Sequence, residues 1–154
     1  MKWIAFVLSL FMSVSAFAAD QVYDEQADAN KEIQQALVEA AKAKVPVILV
    51  FGANWCGDCR VLDTAMKSGA AASLMARDFR VVKINVGRFD RNTDIAQTYG
   101  VPLKKGIPAV AMLSASNEVL YATRSGELAD ARAMGDAGIH DFLKRAVASV
   151  HTGS

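Results

Sequence analysis

The chain has 154 residues, 53% of them apolar and 21% charged, with 17 basic against 16 acidic side chains. That length suits one domain with one hydrophobic core. The near-zero charge balance, with no basic tract, argues against a nucleic acid or an anionic membrane surface as partner.

Met1-Lys2 is a brief basic head, and residues 3–12 form an apolar stretch broken only by Ser9. Small residues follow, among them Ala16-Phe17-Ala18, which fits an A-x-A cleavage site. The pattern is that of a signal peptide over residues 1–19, and the apolar stretch is short for a bilayer span. An uncleaved N-terminal anchor is the competing reading. No cysteine follows the apolar run, which speaks against a lipoprotein anchor. Cleavage would remove Lys2 and leave residues 20–154, a single domain with sixteen charges of each sign. The expected location is periplasmic or secreted, with no stable membrane insertion after cleavage.

Residues 24–44 are charged and alanine-rich, and Ile33, Leu37, Ala40 and Ala41 recur at helical spacing. Asp28 or Asn30 could cap this helix. The apolar run over 45–51, with Pro46 marking its start, is the length of a buried strand, and Gly52 ends it.

The two cysteines of the chain follow at once, in Trp55-Cys56-Gly57-Asp58-Cys59. Residues 60–67 read as a helix, so the pair sits where a strand hands over to a helix N-terminus. Free N–H groups and the positive end of the helix dipole stabilise an anion there, and a thiolate is an anion. The same effect lowers a thiol's pKa from about 8.5 toward neutrality, which makes the sulfur an attacking nucleophile. In this geometry Cys56 is expected to be the exposed sulfur, with Cys59 one turn behind it as the resolving thiol.

Two plainer readings compete. As a structural staple the pair is poor, because closing a loop of about four residues contributes roughly 2 kcal/mol, against nearly 5 for about 100 residues. As half of a zinc site it lacks partners: no other cysteine exists, and His140 and His151 lie far off in sequence. A redox-active dithiol is the favoured reading.

Beyond the site the helix is expected to falter at Ser68-Gly69, with a second helical piece over 70–77 carrying Leu74 and Met75. Residues 79–86 read as a strand in which Phe79, Val81 and Val82 supply apolar mass and Lys83 interrupts. A polar loop over 87–92 leads to a short helix over 93–99, closed by Gly100. Lys104 and Lys105 could guide acidic partners, or simply solvate a charged loop. Gly106-Ile107-Pro108 then opens the apolar run 109–113. A second strand over 119–124 follows a turn at 114–117. Residues 127–150 read as helical, with Ile139, Phe142, Leu143, Ala146 and Val147 as the apolar stripe and Gly135 and Gly138 separating a short first piece. His140 reads as a surface histidine.

With both motifs in place the chain resembles the thioredoxin family. Trp55-Cys56-Gly57-Asp58-Cys59 matches its Trp-Cys-Gly-Xaa-Cys site, Gly106-Ile107-Pro108 its cis-proline loop, and Lys83-Ile84-Asn85-Val86 the strand between them. The likeness covers roughly residues 44–124. It implies an α/β thioredoxin-like fold, a central mixed β-sheet flanked by helices, here with an extra N-terminal helix. It also implies a thiol-disulfide oxidoreductase that needs no cofactor and no metal. Cys56 would attack a client disulfide and Cys59 would resolve the intermediate. Trp55, Ile107 and Pro108 would receive the client's extended chain, with the Ile107 backbone pairing like an added strand. Gly57, Asp58 and Lys83 would tune the sulfurs, though Lys83 could equally be a solvent-edge lysine.

The expected partners are protein disulfides or thiols and a membrane electron donor, with the chain itself a monomer. The sequence departs from many relatives at Val50, where they carry a buried acid, and at Asp58, where proline or histidine is commoner. Proton handling at Cys59 would then fall to water, Lys83 or Asp58. A carboxylate at Asp58 is expected to repel a Cys56 thiolate and favour the disulfide, which makes the chain a better reductant. A binding module or chaperone whose cysteines are incidental is the alternative of a different class.

Overall fold

The computed structural model describes residues 21–151; the signal-peptide reading of residues 1–19 falls outside them. Helix α1 (Ala29–Ala43) opens the described fold, and the Asp28 carboxylate caps it by accepting from the Lys31 N–H at 3.1 Å. Its inward stripe is Ala29, Ile33, Ala36 and Ala40. Leu37 is half-buried, and Ala41, expected in the stripe, faces solvent. Small residues dominate this stripe, so the helix can lie close to the sheet.

The sheet has four strands in the order β2-β1-β3-β4. Strand β1 (Val47–Gly52) is buried at every residue. It pairs in parallel with β2 (Arg80–Asn85) and antiparallel with β3 (Ala109–Leu113), which in turn pairs antiparallel with β4 (Val119–Ala122). The sheet is therefore mixed, and a continuous apolar run in β1 is what a central strand covered on both faces requires. One core cluster gathers α1, Leu49 and Phe51; the other gathers Ile48, Val50 and the inward faces of α2 (Gly57–Ser68) and α5 (Ala131–His151).

Helix α2 ends at Gly69, and α3 (Ala72–Asp78) continues the chain with Met75 buried, so the expected break falls where the sequence placed it. Helix α4 (Thr93–Thr98) follows the loop after β2. The glycines of α5 divide differently from expectation. Gly135 takes φ 66° and ψ 177° and kinks the helix, whereas Gly138 stays helical. Only the first lies at a backbone conformation that L side chains avoid.

Candidate functional site

Cys56 is the N-cap of α2, and its sulfur accepts from the Cys59 N–H at 3.1 Å. Strand β1 aims the chain at this point, and the turn after Gly52 delivers Cys56 to the helix start. The two cysteines are joined as a disulfide with Cα atoms 5.2 Å apart. Cys59 is wholly buried and Cys56 is 5% exposed. The order of accessibility is the expected one, yet Cys56 is more covered than the sequence implied. Its sulfur lies 3.7 Å from the Ile107 carbonyl oxygen, under the loop that carries the cis Ile107–Pro108 bond. The structure thus brings Cys56, Cys59, Ile107 and Pro108 together from two distant stretches of chain.

The exposed part of the site is aromatic. Trp55 is 47% exposed, and its indole N–H donates to the Gly87 carbonyl at 2.8 Å. Phe89 meets it edge-on with ring centroids 6.1 Å apart, and the Arg88 guanidinium lies 5.8 Å from the Trp55 ring. A largely apolar groove of about 780 Å³ runs on from Phe89 past Val101, Pro102 and Leu103 to Gly106. The charged residues along it, Lys104 and Arg124, are both basic.

Asp58 does not stand as a free negative charge beside Cys56. One carboxylate oxygen accepts from the Arg132 backbone N–H at 2.9 Å, and the other lies 3.1 Å from the Arg132 guanidinium. Burial works to raise this carboxyl, but the bonds from Arg132 prevail and hold it below the usual carboxylate range. The repulsion expected from the sequence is offset by a cation contributed by α5. Arg132 also covers Gly57, where an added Cβ would sit 3.3 Å from its guanidinium nitrogen.

Lys83 is not a solvent-edge lysine. Its side chain is 19% exposed, and its Nζ lies 2.7 Å from Asp63 Oδ1. Asp63, 6% exposed, also pairs with Lys67 at 2.8 Å. Among the described residues neither Lys83 Nζ nor Asp63 Oδ1 has a further polar partner beyond this ion pair and the Lys67 contact to the same carboxylate. Burial pulls Asp63 upward, but the Lys67 hydrogen bond and the Lys83 contact hold its carboxyl below the usual range. Burial pushes Lys83 below the ordinary lysine value, against the opposing pull of Asp63.

Tyr23 completes this layer. Asn54 clamps its backbone from both sides, accepting from the Tyr23 N–H and donating to its carbonyl, each at 2.9 Å. Its ring packs 5.8 Å from Lys83 Nζ. Its hydroxyl points to Gly52 beside the Cys59 sulfur and has no hydrogen-bond partner among the described residues. Burial pushes this phenol up, with the Asp63 charge adding to the effect.

Sequence reasoning missed Asp63, Arg132 and Tyr23. For Asp63 a signal existed: it stands four residues after Cys59, on the same helix face, with Lys83 interrupting the neighbouring strand. Arg132 and Tyr23 carried none, since each reaches the site from a far part of the chain.

Comparisons with known proteins agree with this fold. A profile of the thioredoxin-like family matches residues 21–115. The crystal structure of a disulphide isomerase from Xylella fastidiosa Temecula1 superposes with a TM-score of 0.81 at 46% identity, covering 84% of this chain and 99% of that one. Thioredoxin from Pseudomonas aeruginosa is 31% identical over 94 residues, which is 58% of this chain and 74% of the relative. That from Thiocapsa roseopersicina is 32% identical over 81 residues, or 53% of this chain and 79% of the relative. The chain therefore belongs to the thioredoxin-like family and is a thiol-disulfide oxidoreductase.

Proposed function

We propose that the protein is an exported reductase or isomerase of protein disulfides, with Cys56 as the attacking thiolate and Cys59 as the resolving thiol. The observation that carries this reading is the Cys56–Cys59 pair at the start of α2, against the Ile107 carbonyl at 3.7 Å. A helix start favours the thiolate form of Cys56 once the pair is reduced. The named function of the Xylella relative supports the isomerase half of the proposal.

In the reductive direction Cys56 thiolate attacks a client disulfide and forms a mixed disulfide. Cys59 then attacks Cys56, the client sulfur leaves as a thiolate, and the protein keeps the two-sulfur bond. Trp55, Ile107 and Pro108 offer the client an aromatic wall and a backbone edge, and the apolar groove beyond Phe89 can hold a client side chain. Gly57, Asp58 and Lys83 set the electrostatics around the sulfurs. Export rests on the N-terminal pattern of Met1-Lys2, the apolar stretch and Ala16-Phe17-Ala18; a membrane donor would then return electrons.

Insulin reduction by the purified chain, set beside a Cys56→Ser variant, tests the reading. Turnover lost in the variant supports it. Equal behaviour of the two, with aggregation of a client still suppressed, makes the protein a binding module instead. Reactivation of scrambled ribonuclease separates isomerase from reductase, and N-terminal sequencing of the secreted chain locates any cleavage. Clients would be caught as mixed disulfides on Cys59→Ala.

A further inference from the structure

The fold serves the two sulfurs unequally. Cys56 Sγ accepts from the Cys59 N–H at 3.1 Å, so a charge on it has a donor waiting at the start of α2. Cys59 Sγ is wholly buried and, among the described residues, receives no hydrogen bond while it is joined to Cys56. Reduction would free this sulfur as a polar group inside the protein, where a polar atom without a partner is costly.

Tyr23 stands across the same pocket with the complementary deficit. Its side chain is fully buried, and its hydroxyl has no hydrogen-bond partner among the described residues. The hydroxyl and Cys59 Sγ meet over the space that Gly52 leaves by having no side chain. A Cβ there would collide with the hydroxyl oxygen, come to 2.5 Å of the ring carbon that bears it, and lie 2.9 Å from Cys59 Sγ. Gly52 is ordinary strand backbone, so this meeting, and not a positive φ, is what excludes a larger residue. The active-site turn also carries the fastening that brings the phenol in. Asn54, two residues before Cys56, accepts from the Tyr23 N–H and donates to its carbonyl, each at 2.9 Å, and donates again to the Glu25 carboxylate at 3.1 Å. The charged and titratable groups facing the ring are Lys83 from β2, with Nζ 5.8 Å from the ring centre, and Asp63 and Cys59 from α2. Burial and the Asp63 charge both keep the phenol protonated, so it remains a donor through the neutral range.

We propose that the Tyr23 hydroxyl donates a hydrogen bond to the Cys59 sulfur once the pair is reduced, and that this bond raises the reduction potential of the pair. The inference rests on the exchange chemistry proposed above. In the disulfide the Cys59 sulfur is a weak acceptor, and the hydroxyl goes without a partner. A reducing dithiol gives two electrons to the Cys56–Cys59 bond and becomes a disulfide itself; the bond breaks, and the two protons it releases go to the cysteines or to solvent. The freed Cys59 sulfur then accepts from Tyr23, more strongly as a thiolate than as a thiol, because a charged acceptor makes the stronger bond. The hydroxyl therefore finds its partner in one redox state only, and that state is favoured. Gly52 keeps the way open, and Asn54 holds the segment that carries the donor.

The test is the equilibrium of the purified chain with reduced and oxidised dithiothreitol at neutral pH, quenched in acid, with the two redox forms counted by mass. Tyr23→Phe keeps the ring and discards the hydroxyl. It should shift the equilibrium toward the disulfide by about two- to tenfold, a potential lower by ~10–30 mV. Urea unfolding of each redox form should place the loss in the reduced chain, with the oxidised variant no less stable than native. A residue that only fills space would weaken both forms alike and leave the equilibrium where it was. In a second variant ortho-fluorotyrosine replaces Tyr23; its more acidic hydroxyl is the stronger donor, and it should shift the equilibrium the other way, toward the dithiol. That arm also decides the matter if Tyr23→Phe does not fold. An equilibrium moved by less than about twofold in Tyr23→Phe overturns the assignment, as does a shift toward the dithiol in that variant or toward the disulfide in the fluorinated one. A native disulfide that dithiothreitol leaves intact overturns the exchange reading instead, and this assignment with it.

Discussion

Asp58, inside the turn between the two cysteines, is bound at both carboxylate oxygens by Arg132 at the start of α5, at 2.9 and 3.1 Å. The redox turn is thereby tied to the last helix, and its negative charge is answered by a cation. Removing the cation should restore the repulsion that the isolated motif implies. Arg132→Met is expected to raise the pH at which Cys56 becomes reactive toward an alkylating agent and to lower the reduction potential measured against glutathione. Arg132 is mostly exposed, so solvent screens the pair and the change should be a few-fold in rate, not orders of magnitude. Asp58→Asn should shift both quantities the opposite way. Equal shifts of one sign in the two variants would contradict this account.

The contact between Gly52 and Tyr23 makes a second, structural prediction. A Cβ on Gly52 would run into the Tyr23 ring and hydroxyl and come within 2.9 Å of the Cys59 sulfur. Gly52→Ala should therefore destabilise the fold by about 1–3 kcal/mol in urea unfolding, the usual range for overpacking. Tyr23→Phe discards a buried hydroxyl that has no hydrogen-bond partner among the described residues, so by itself it should be neutral or mildly stabilising. The pair of changes should recover part of the loss. Strict additivity in the double variant would show that the two positions are not coupled.

Stability should fall at both ends of the pH range for separate reasons. Asp63, Asp58 and Glu127 are held below the ordinary carboxylate value, so each contributes stability present above the unfolded pKa of about 4 and lost as pH falls through the folded one. Tyr23 is pushed above the ordinary tyrosine value, so its contribution is whole below about pH 10 and is lost as pH rises further. Lys83, pushed below its ordinary value, acts in the other sense and eases as it deprotonates. Urea midpoints across the range should show a loss above about pH 10 that Tyr23→Phe removes. An alkaline limb unchanged in that variant would locate the titration elsewhere.

Gly135 and Gly138 should answer alanine differently. Gly135 has no atom within 4 Å of an added Cβ but holds φ 66° with ψ 177°, a region nearly reserved for glycine. Alanine there should cost about 1–3 kcal/mol through backbone strain alone. At Gly138 the backbone is helical and the constraint is Met134 Cβ at 3.2 Å, so the cost should be smaller. Thermal unfolding of the two variants side by side measures the difference.

Local chemistry explains what could be read from residue order. The apolar run of β1, the cysteine spacing at a helix start and Gly106-Ile107-Pro108 are short-range signals, each complete within a few residues. They were enough for the α/β sandwich, the redox pair and the loop that meets it. The α1 stripe was read one position off at Ala41 because alanine fits either face of a helix, and only the sheet beneath decides which face it meets.

The charges were a different matter. The sequence by itself determined that Val50 leaves β1 without an acid and that Asp58 adds one between the cysteines. Only the tertiary structure decided that Arg132, seventy-four positions away, neutralises Asp58. It alone paired Lys83 with Asp63 and set the Tyr23 hydroxyl beside Cys59. A hydrophobic pattern repeats along the chain and so announces itself, whereas the field at a buried sulfur depends on which distant charges the fold packs within a few ångströms of it.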